Sequence, residues 1–246
     1  MQTIYGPGSL PKNDNINRFS YSLDVSDTLF IQKGKMIAYY GRLTFEMIGT
    51  SALDILTKEA FNSPLYIGDF VVVSGRGSLI LGDLGNDIAG YDLEDANMTI
   101  RAKNLLALPP TVRCQESTVP GFLTLMGTGR ILASSNGPAH FIEPPCRVDE
   151  QAVLGWADCP CPSYRYDYEH VRSFISAAGA MTGFTLSGEE KQLDFFGKGT
   201  VLVQSSELEL QGRGLVDSIV GQLRSLGKSD LSIVSAAVSR QMASSR

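Results

Sequence analysis

Gly75-Arg76-Gly77-Ser78-Leu79-Ile80-Leu81, Gly127-Thr128-Gly129-Arg130-Ile131-Leu132-Ala133 and Gly197-Lys198-Gly199-Thr200-Val201-Leu202-Val203 read alike. Each follows an apolar run: Phe70 to Val73, Phe122 to Met126, and Phe195-Phe196. A strand, a Gly-x-Gly element and a second strand, repeated along one chain, predict an all-β body with three internal pseudo-repeats. The third glycine that a dinucleotide-binding turn needs is replaced by Ile80, Leu132 and Leu202. Apolar residues continue the strand there instead of opening a helix. Gly75, Gly77, Gly127, Gly129, Gly197 and Gly199 are therefore structural turn or bulge glycines with positive φ, and not a phosphate cradle.

A second element recurs. Aligned on Ala38, Ala107 and Gly155, an apolar residue stands seven places earlier (Ile31, Ile100, Val148). An apolar pair ends just before the small residue: Met36-Ile37, Leu105-Leu106 and Val153-Leu154. The polar middle suits a strand, a tight turn and a second strand. The steps from Gly75 to Ala107 and from Gly127 to Gly155 are 32 and 28 residues. Those steps join each glycine element to the apolar pair that follows it. Thr200–Val203 then completes the unit begun by Ser20–Tyr40, and the last strands close on the first. A sandwich or closed β assembly is the expectation, since closure removes exposed sheet edges.

The remaining organisation follows from turn residues and periodicity. Residues 1–17 read as a polar arm. In 18–48 the residues Phe19, Tyr21, Leu23 and Val25 alternate at period two, with turns at Ser26-Asp27 and Lys33-Gly34. Leu53, Leu56 and Ala60 mark one face of a short helix over 51–61, capped by Ser51. Strands fill 65–135, broken at Gly82-Asp83, Gly85-Asn86 and Asp95-Ala96-Asn97. Tyr164, Tyr166 and Tyr168 alternate in a strand or extended loop, and 192–205 hold the last strand pair. Beyond Gly214 the pattern changes: Leu215, Ile219, Leu223 and Leu226 form one helical stripe, and Leu231, Val234, Val238 and Met242 a second. Two domains are expected, a β body at 1–208 and a helical tail at 209–246. The stripe of Leu215, Ile219, Leu223 and Leu226 is the candidate self-association surface.

Composition bounds the function. The 246 residues carry a net charge of −5 and a pI near 5.1, with 43% hydrophobic and 19% charged residues. Lys35, Arg42, Arg76, Lys103 and Arg130 are scattered, so no basic nucleic-acid face is expected. The weakly basic polar face of the tail is poor for anionic lipid, which leaves membrane-surface association a minor expectation. No apolar run reaches the roughly 20 residues of a membrane-spanning helix. Met1 to Asn17 lack the pattern of a secretory signal, so a cytoplasmic location is expected.

No site chemistry emerges strongly. Cys159-Pro160-Cys161 has one residue between thiols where a zinc knuckle has two to four. Cys114, Cys146, Cys159 and Cys161 read as small buried thiols, with a metal site drawn from Cys146, Cys159, Cys161 and His140 as the sharper option. No Gly-x-Ser-x-Gly elbow accompanies His140 or His170, so no enzyme and no cofactor are expected. Asp83-Leu84-Gly85-Asn86-Asp87 only partly matches a Ca²⁺ loop. Asp83, Asp87, Asp92, Glu94 and Asp95 read as solvated turn residues. Trp156 follows an apolar pair and reads as core.

Phe196-Gly197-Lys198-Gly199-Thr200-Val201-Leu202-Val203-Gln204-Ser205, the preceding Ser187-Gly188-Glu189, and the Ile37-Ala38 and Leu106-Ala107 segments resemble the altered inheritance of mitochondria protein 24 family. The likeness spans roughly 18–206 and omits the tail. It implies a β-sandwich of the type in the tryptophan RNA-binding attenuation protein, with internal pseudo-threefold repetition. It also implies a link to membrane organisation, and it brings no catalytic residues. The Cys-Pro-Cys turn and the tail depart from the family pattern. The expected function is a non-enzymatic scaffold or interaction protein that self-associates. The alternative is a small-molecule or metal-binding β module using Cys159, Cys161, Trp156 and the tyrosines.

Overall fold

The computed structural model describes residues 6, 8–49, 60–158, 162–165 and 192–206. The residue 51–61 helix therefore falls almost wholly outside the described residues, as do the tail stripe, Cys159, Cys161, Tyr166, Tyr168 and His170.

The described chain is predominantly β, as the Gly-x-Gly elements predict. It opens with β1 (Asp14–Asn17), β2 (Ser20–Val25), β3 (Leu29–Gln32) and β4 (Met36–Met47), followed by the short β5 (Phe61–Asn62). Two long strands come next, β6 (Phe70–Gly82) and β7 (Asp87–Arg101), joined by a tight turn but not paired with each other. After these run β8 (Leu105–Leu108), β9 (Val112–Glu116), β10 (Phe122–Ser135) and β11 (Ala139–Ile142). The last are β12 (Cys146–Asp149), β13 (Val153–Ala157), β14 (Ser163–Arg165), β15 (Gln192–Phe195) and β16 (Thr200–Gln204).

A large sheet runs in the order β1-β2-β6-β3-β8-β10-β7-β13-β16-β11, with β4, β5 and β9 branching from it. A small sheet runs β12-β15-β14. The large sheet does not close: its path ends at β1 and β11, and β16 pairs with β13 and β11 rather than with the first strands. The expectation of a closed assembly, with Thr200–Val203 completing the Ser20–Tyr40 unit, is thus corrected. Ser20–Tyr40 is instead completed by β6, which takes β2 and β3 on one edge and β4 on the other.

The registers show which segments belong together. Ala38 faces Ile80, Ala107 faces Leu132 and Gly155 faces Leu202. In each pair a register shift lies beside the small residue. The strand before it pairs likewise: Ile31 faces Val71, and Val148 faces Leu193. Each glycine element therefore meets the apolar pair that precedes it, not the one that follows.

The glycines are not turns in the first two cases. Gly75–Gly77 and Gly127–Gly129 lie inside the continuous strands β6 and β10, while Gly197–Gly199 link β15 to β16. Five of the six have positive φ (Gly75 118°, Gly127 128°, Gly129 152°, Gly197 95°, Gly199 125°). At these points a strand changes neighbours. β6 pairs with β3 up to Val73 and with β2 from Gly77 onward. In the third case the chain passes from the small sheet to the large one, the kind of crossing that bulged corners permit. The predicted break at Asp95–Asn97 is likewise a bulge inside β7. Asp95 sits at φ 50°, and its N–H donates to Thr128 Oγ1 at 3.0 Å.

Three buried clusters form the core. One joins Tyr21, Leu23, Ile31, Val73, Leu79 and Leu106. The second gathers Phe30, Ile100, Leu105, Leu123, Leu125 and Leu154. The third lies between the two sheets and contains Phe122, Val148, Val153, Trp156, Leu193 and Phe195. Phe19 departs from its predicted inward alternation with Tyr21, Leu23 and Val25: those three are buried and Phe19 is exposed.

Candidate functional site

Three turns meet at one end of the large sheet, those joining β1 to β2, β3 to β4 and β6 to β7. They frame a groove of about 480 Å³ lined by Phe19, Lys35, Ile37, Asp83 and Leu84 among others. The β6–β7 turn is built by Leu84 (φ 49°) and Gly85 (φ 81°), closed by Asn86 N–H donating to the Asp83 carbonyl at 2.7 Å. Positive φ at both central residues is the type I′ turn geometry, here linking two strands that do not pair with each other. Asparagine or glycine ordinarily takes the first of those places. Leu84 holds it with its side chain 98% exposed, so the turn presents an apolar tip to solvent at a cost in backbone strain.

The groove floor is ionic but self-neutralised. Asp83 is 5% exposed, which corrects its reading as a solvated turn residue. Its carboxylate accepts from Lys35 Nζ, from Ser134 Oγ and from Asn86 Nδ2 at 3.3 Å. A buried charge is tolerated when it is paired and hydrogen-bonded in this way. Around it Phe19, Ile37 and Leu84 leave large apolar surfaces in water. A neutralised floor with an apolar rim suits an apolar side chain of a partner better than a free ion.

The other residues singled out in the sequence have structural duties. Asp87 pairs with Arg18 through two contacts (2.7 and 2.8 Å) and Asp92 with Arg130 through two (2.7 and 2.6 Å). The guanidinium of Arg130 holds the Asp92 carboxyl below its ordinary value. Arg42 and Arg76 face one another across β4 and β6. Trp156 is buried between Phe122 and Phe195 and offers no open face for stacking a ligand. His140 is exposed on β11 with Nε2 3.0 Å from Ser205 Oγ. Cys114 is buried, Cys146 is half-buried, and both are free thiols. Among the described residues no three His, Cys, Asp or Glu side chains cluster as metal ligands. No helix there is long and apolar enough to cross a membrane.

Burial pushes the Cys114 thiol from 9.0 up to about 12 and the Tyr91 hydroxyl from 10.0 up to about 12. Both groups are held neutral in the folded chain, so their contribution to stability is intact below their unfolded values. It is lost as pH rises from about 9 toward 12, because the unfolded chain ionises first. Urea-unfolding midpoints should therefore fall progressively above pH 9. Cys114→Ala should flatten the lower part of that decline while lowering the midpoint at neutral pH. A decline that Cys114→Ala leaves unaltered would assign it elsewhere.

The groove was not legible in the sequence. Lys35 and Asp83 are 48 residues apart, and Phe19 sits in an alternating stretch that reads as core. One local signal was present: Leu84 stands in an Asp-Leu-Gly-Asn turn where a polar residue is the norm.

A predominantly β body of long, glycine-bent strands, carrying an apolar-rimmed groove at one end of its large sheet, is the class that fold and site define. The chain belongs to the mitochondrial biogenesis AIM24 family, whose model matches residues 13–206. It is also similar in fold to the crystal structure of a Streptococcus pyogenes protein, with a TM-score of 0.55 and 18% sequence identity. That match covers 86% of this chain and 96% of the other. No curated protein sequence matches the chain.

Proposed function

We propose that this chain is a non-enzymatic scaffold or interaction protein that self-associates, acts in the cytoplasm and is linked to membrane organisation. The observation that carries this reading is the meeting of three exposed apolar side chains, Phe19, Ile37 and Leu84, around one groove at the end of the large sheet. Large contiguous apolar surface on a protein marks a place where another surface sits.

The body is proposed as three copies of one β unit, in a sandwich like that of the tryptophan RNA-binding attenuation protein. The matched registers of Ala38–Ile80, Ala107–Leu132 and Gly155–Leu202 support this. So does the next level of pairing, Ile31–Val71, Ile100–Leu123 and Val148–Leu193. Residues 209–246 are proposed as a helical tail whose stripe of Leu215, Ile219, Leu223 and Leu226 contributes to assembly. Deleting 209–246 should lower the stoichiometry seen by native mass spectrometry while leaving the β circular dichroism of the body intact. The same stoichiometry with and without those residues would remove the tail from the assembly.

A further inference from the structure

The three apolar-pair segments have equivalent registers and unequal burial. Leu105, Leu106 and Leu108 are 0% exposed, as are Val153 and Leu154, and Trp156 is at 5%. Met36, Ile37 and Tyr39, at the corresponding places of the first segment, are 39%, 61% and 45% exposed.

The difference has one geometric source. In β8, Ala107 has Leu132 on one side and Ile31 on the other. In β13, Gly155 has Leu202 on one side and Ile100 on the other. In β4, Ala38 has Ile80 on one side, and the only strand paired with β4 among the described residues is β6. The middle apolar residue follows the same rule. Leu106 packs into the cluster that holds Ile31, and Leu154 into the cluster that holds Ile100. The cluster around Val148 contains no residue of the first segment. Val148 lies in β12, whose described partner is β15, in the small sheet separate from β4. Among the described residues one exposed acceptor, β4, and one donor without a second strand neighbour, β12, remain, and the two internal seams define how they would fit.

From this we infer that the Met36, Ile37 and Tyr39 surface docks a second copy of this chain. That copy lays its β12 antiparallel to β4, with Val148 opposite Ala38 and Arg147 opposite Tyr39. The inference names the partner surface for the self-association proposed above, and it rests on the equivalence of the three units. The occupant is a second copy because the contact continues a seam the chain already makes twice internally, and among the described residues its own β4 and β12 lie in separate sheets that do not pair with one another. The two surfaces differ, so the contact is head-to-tail and propagates into a closed ring or an open filament. Ile37 enters the cluster around Val148, as Leu106 and Leu154 enter theirs, and leaves water on doing so.

Full-length chain and its Ile37→Asp variant, compared by native mass spectrometry and sedimentation, test the inference. Ile37 is exposed in the single chain, so the variant folds, and circular dichroism with thermal unfolding checks this. The expected result is a defined oligomer for the unaltered chain and a monomer for Ile37→Asp. A monomeric unaltered chain, or an oligomer that survives Ile37→Asp, overturns the inference. Because the variant keeps residues 209–246, an assembly lost on tail deletion and retained in Ile37→Asp upholds the proposed scaffold and overturns this surface. Register is read by mixing Tyr39→Cys chains with Arg147→Cys chains under oxidation. A 39–147 disulfide between chains supports the seam. The same bond formed within one chain of the double variant at high dilution overturns the second-copy assignment. Met98→Cys/Ala157→Cys, a pair facing across an internal seam, is the control. Its failure to cross-link removes the seam geometry on which the unit equivalence depends. Its success without any 39–147 bond removes the intermolecular contact alone.

Discussion

Gly75→Ala lowers the unfolding free energy by roughly 3 kcal/mol or more, while Gly85→Ala costs about 1 kcal/mol. Both glycines have positive φ, 118° at Gly75 and 81° at Gly85, so both substitutions strain the backbone. They differ in what a Cβ would meet. At Gly85 nothing lies within 4 Å. At Gly75 the added carbon falls 2.1 Å from the Arg42 carbonyl oxygen and 3.4 Å from Leu43 Cα, both backbone atoms of the paired strand β4. Backbone cannot rotate aside as a side chain can, so β4 and β6 must separate and lose ladder hydrogen bonds. Gly77→Ala behaves like Gly75→Ala without the φ contribution, because its Cβ would lie 2.0 Å from the Tyr40 carbonyl oxygen. Urea titrations followed by circular dichroism give the comparison. Equal losses at Gly75 and Gly85 would show that φ strain governs these glycines and that close approach of the strands contributes nothing.

That contrast explains how far the sequence could be read. The Gly-x-Gly elements are recognisable because each needs the same local backbone, and a local requirement leaves a local signature. The apolar pairs before Ala38, Ala107 and Gly155 are recognisable for the same reason. Which element pairs with which is a long-range matter. The distances from each small residue to the glycine element it meets are unequal, 37, 20 and 42 residues (38 to 75, 107 to 127, 155 to 197). The more regular steps run to the wrong partner, and regular spacing is no guide when loops of any length are thermodynamically tolerated. The groove was hidden for a related reason. Alternation placed Phe19 with Tyr21, Leu23 and Val25, and the pattern Met36-Ile37 is the one that is buried at the two other places. Hydrophobic patterning reports what a residue is suited to pack against and is silent on whether that neighbour belongs to the same chain. Asp83 misled in the opposite sense: a carboxylate in a turn sequence is ordinarily solvated, and here Lys35 and Ser134 reach it across the fold.

The second large effect lies at the junction of the two sheets. Trp156→Ala costs about 3–5 kcal/mol, a large share of the 5–15 kcal/mol typical of a folded domain. Trp156 is 5% exposed, with the Phe122 ring 5.0 Å away and the Phe195 ring 5.6 Å away. Phe122 belongs to β10 of the large sheet and Phe195 to β15 of the small one, so the indole bridges the layers. Offset and edge-on aromatic pairs add about 0.5–1.5 kcal/mol beyond buried area. Removing the indole leaves a void between Val148, Leu193 and Val201, which packing on both sides prevents from collapsing. The loss is directional. The small sheet meets the rest of the body through this cluster, whereas the large sheet retains the clusters around Ile31 and Ile100. Amide exchange should therefore accelerate first at Cys146–Asp149 and Gln192–Phe195, with Phe70–Gly82 still protected. Trp156→Phe keeps one ring in the site and recovers most of the stability. Since Trp156 is the single tryptophan of the chain, its fluorescence follows unfolding of the unaltered protein, and circular dichroism follows the variants. Uniform acceleration of exchange across both sheets would mean that the two layers unfold as one cooperative unit and that Trp156 is an ordinary core residue of it.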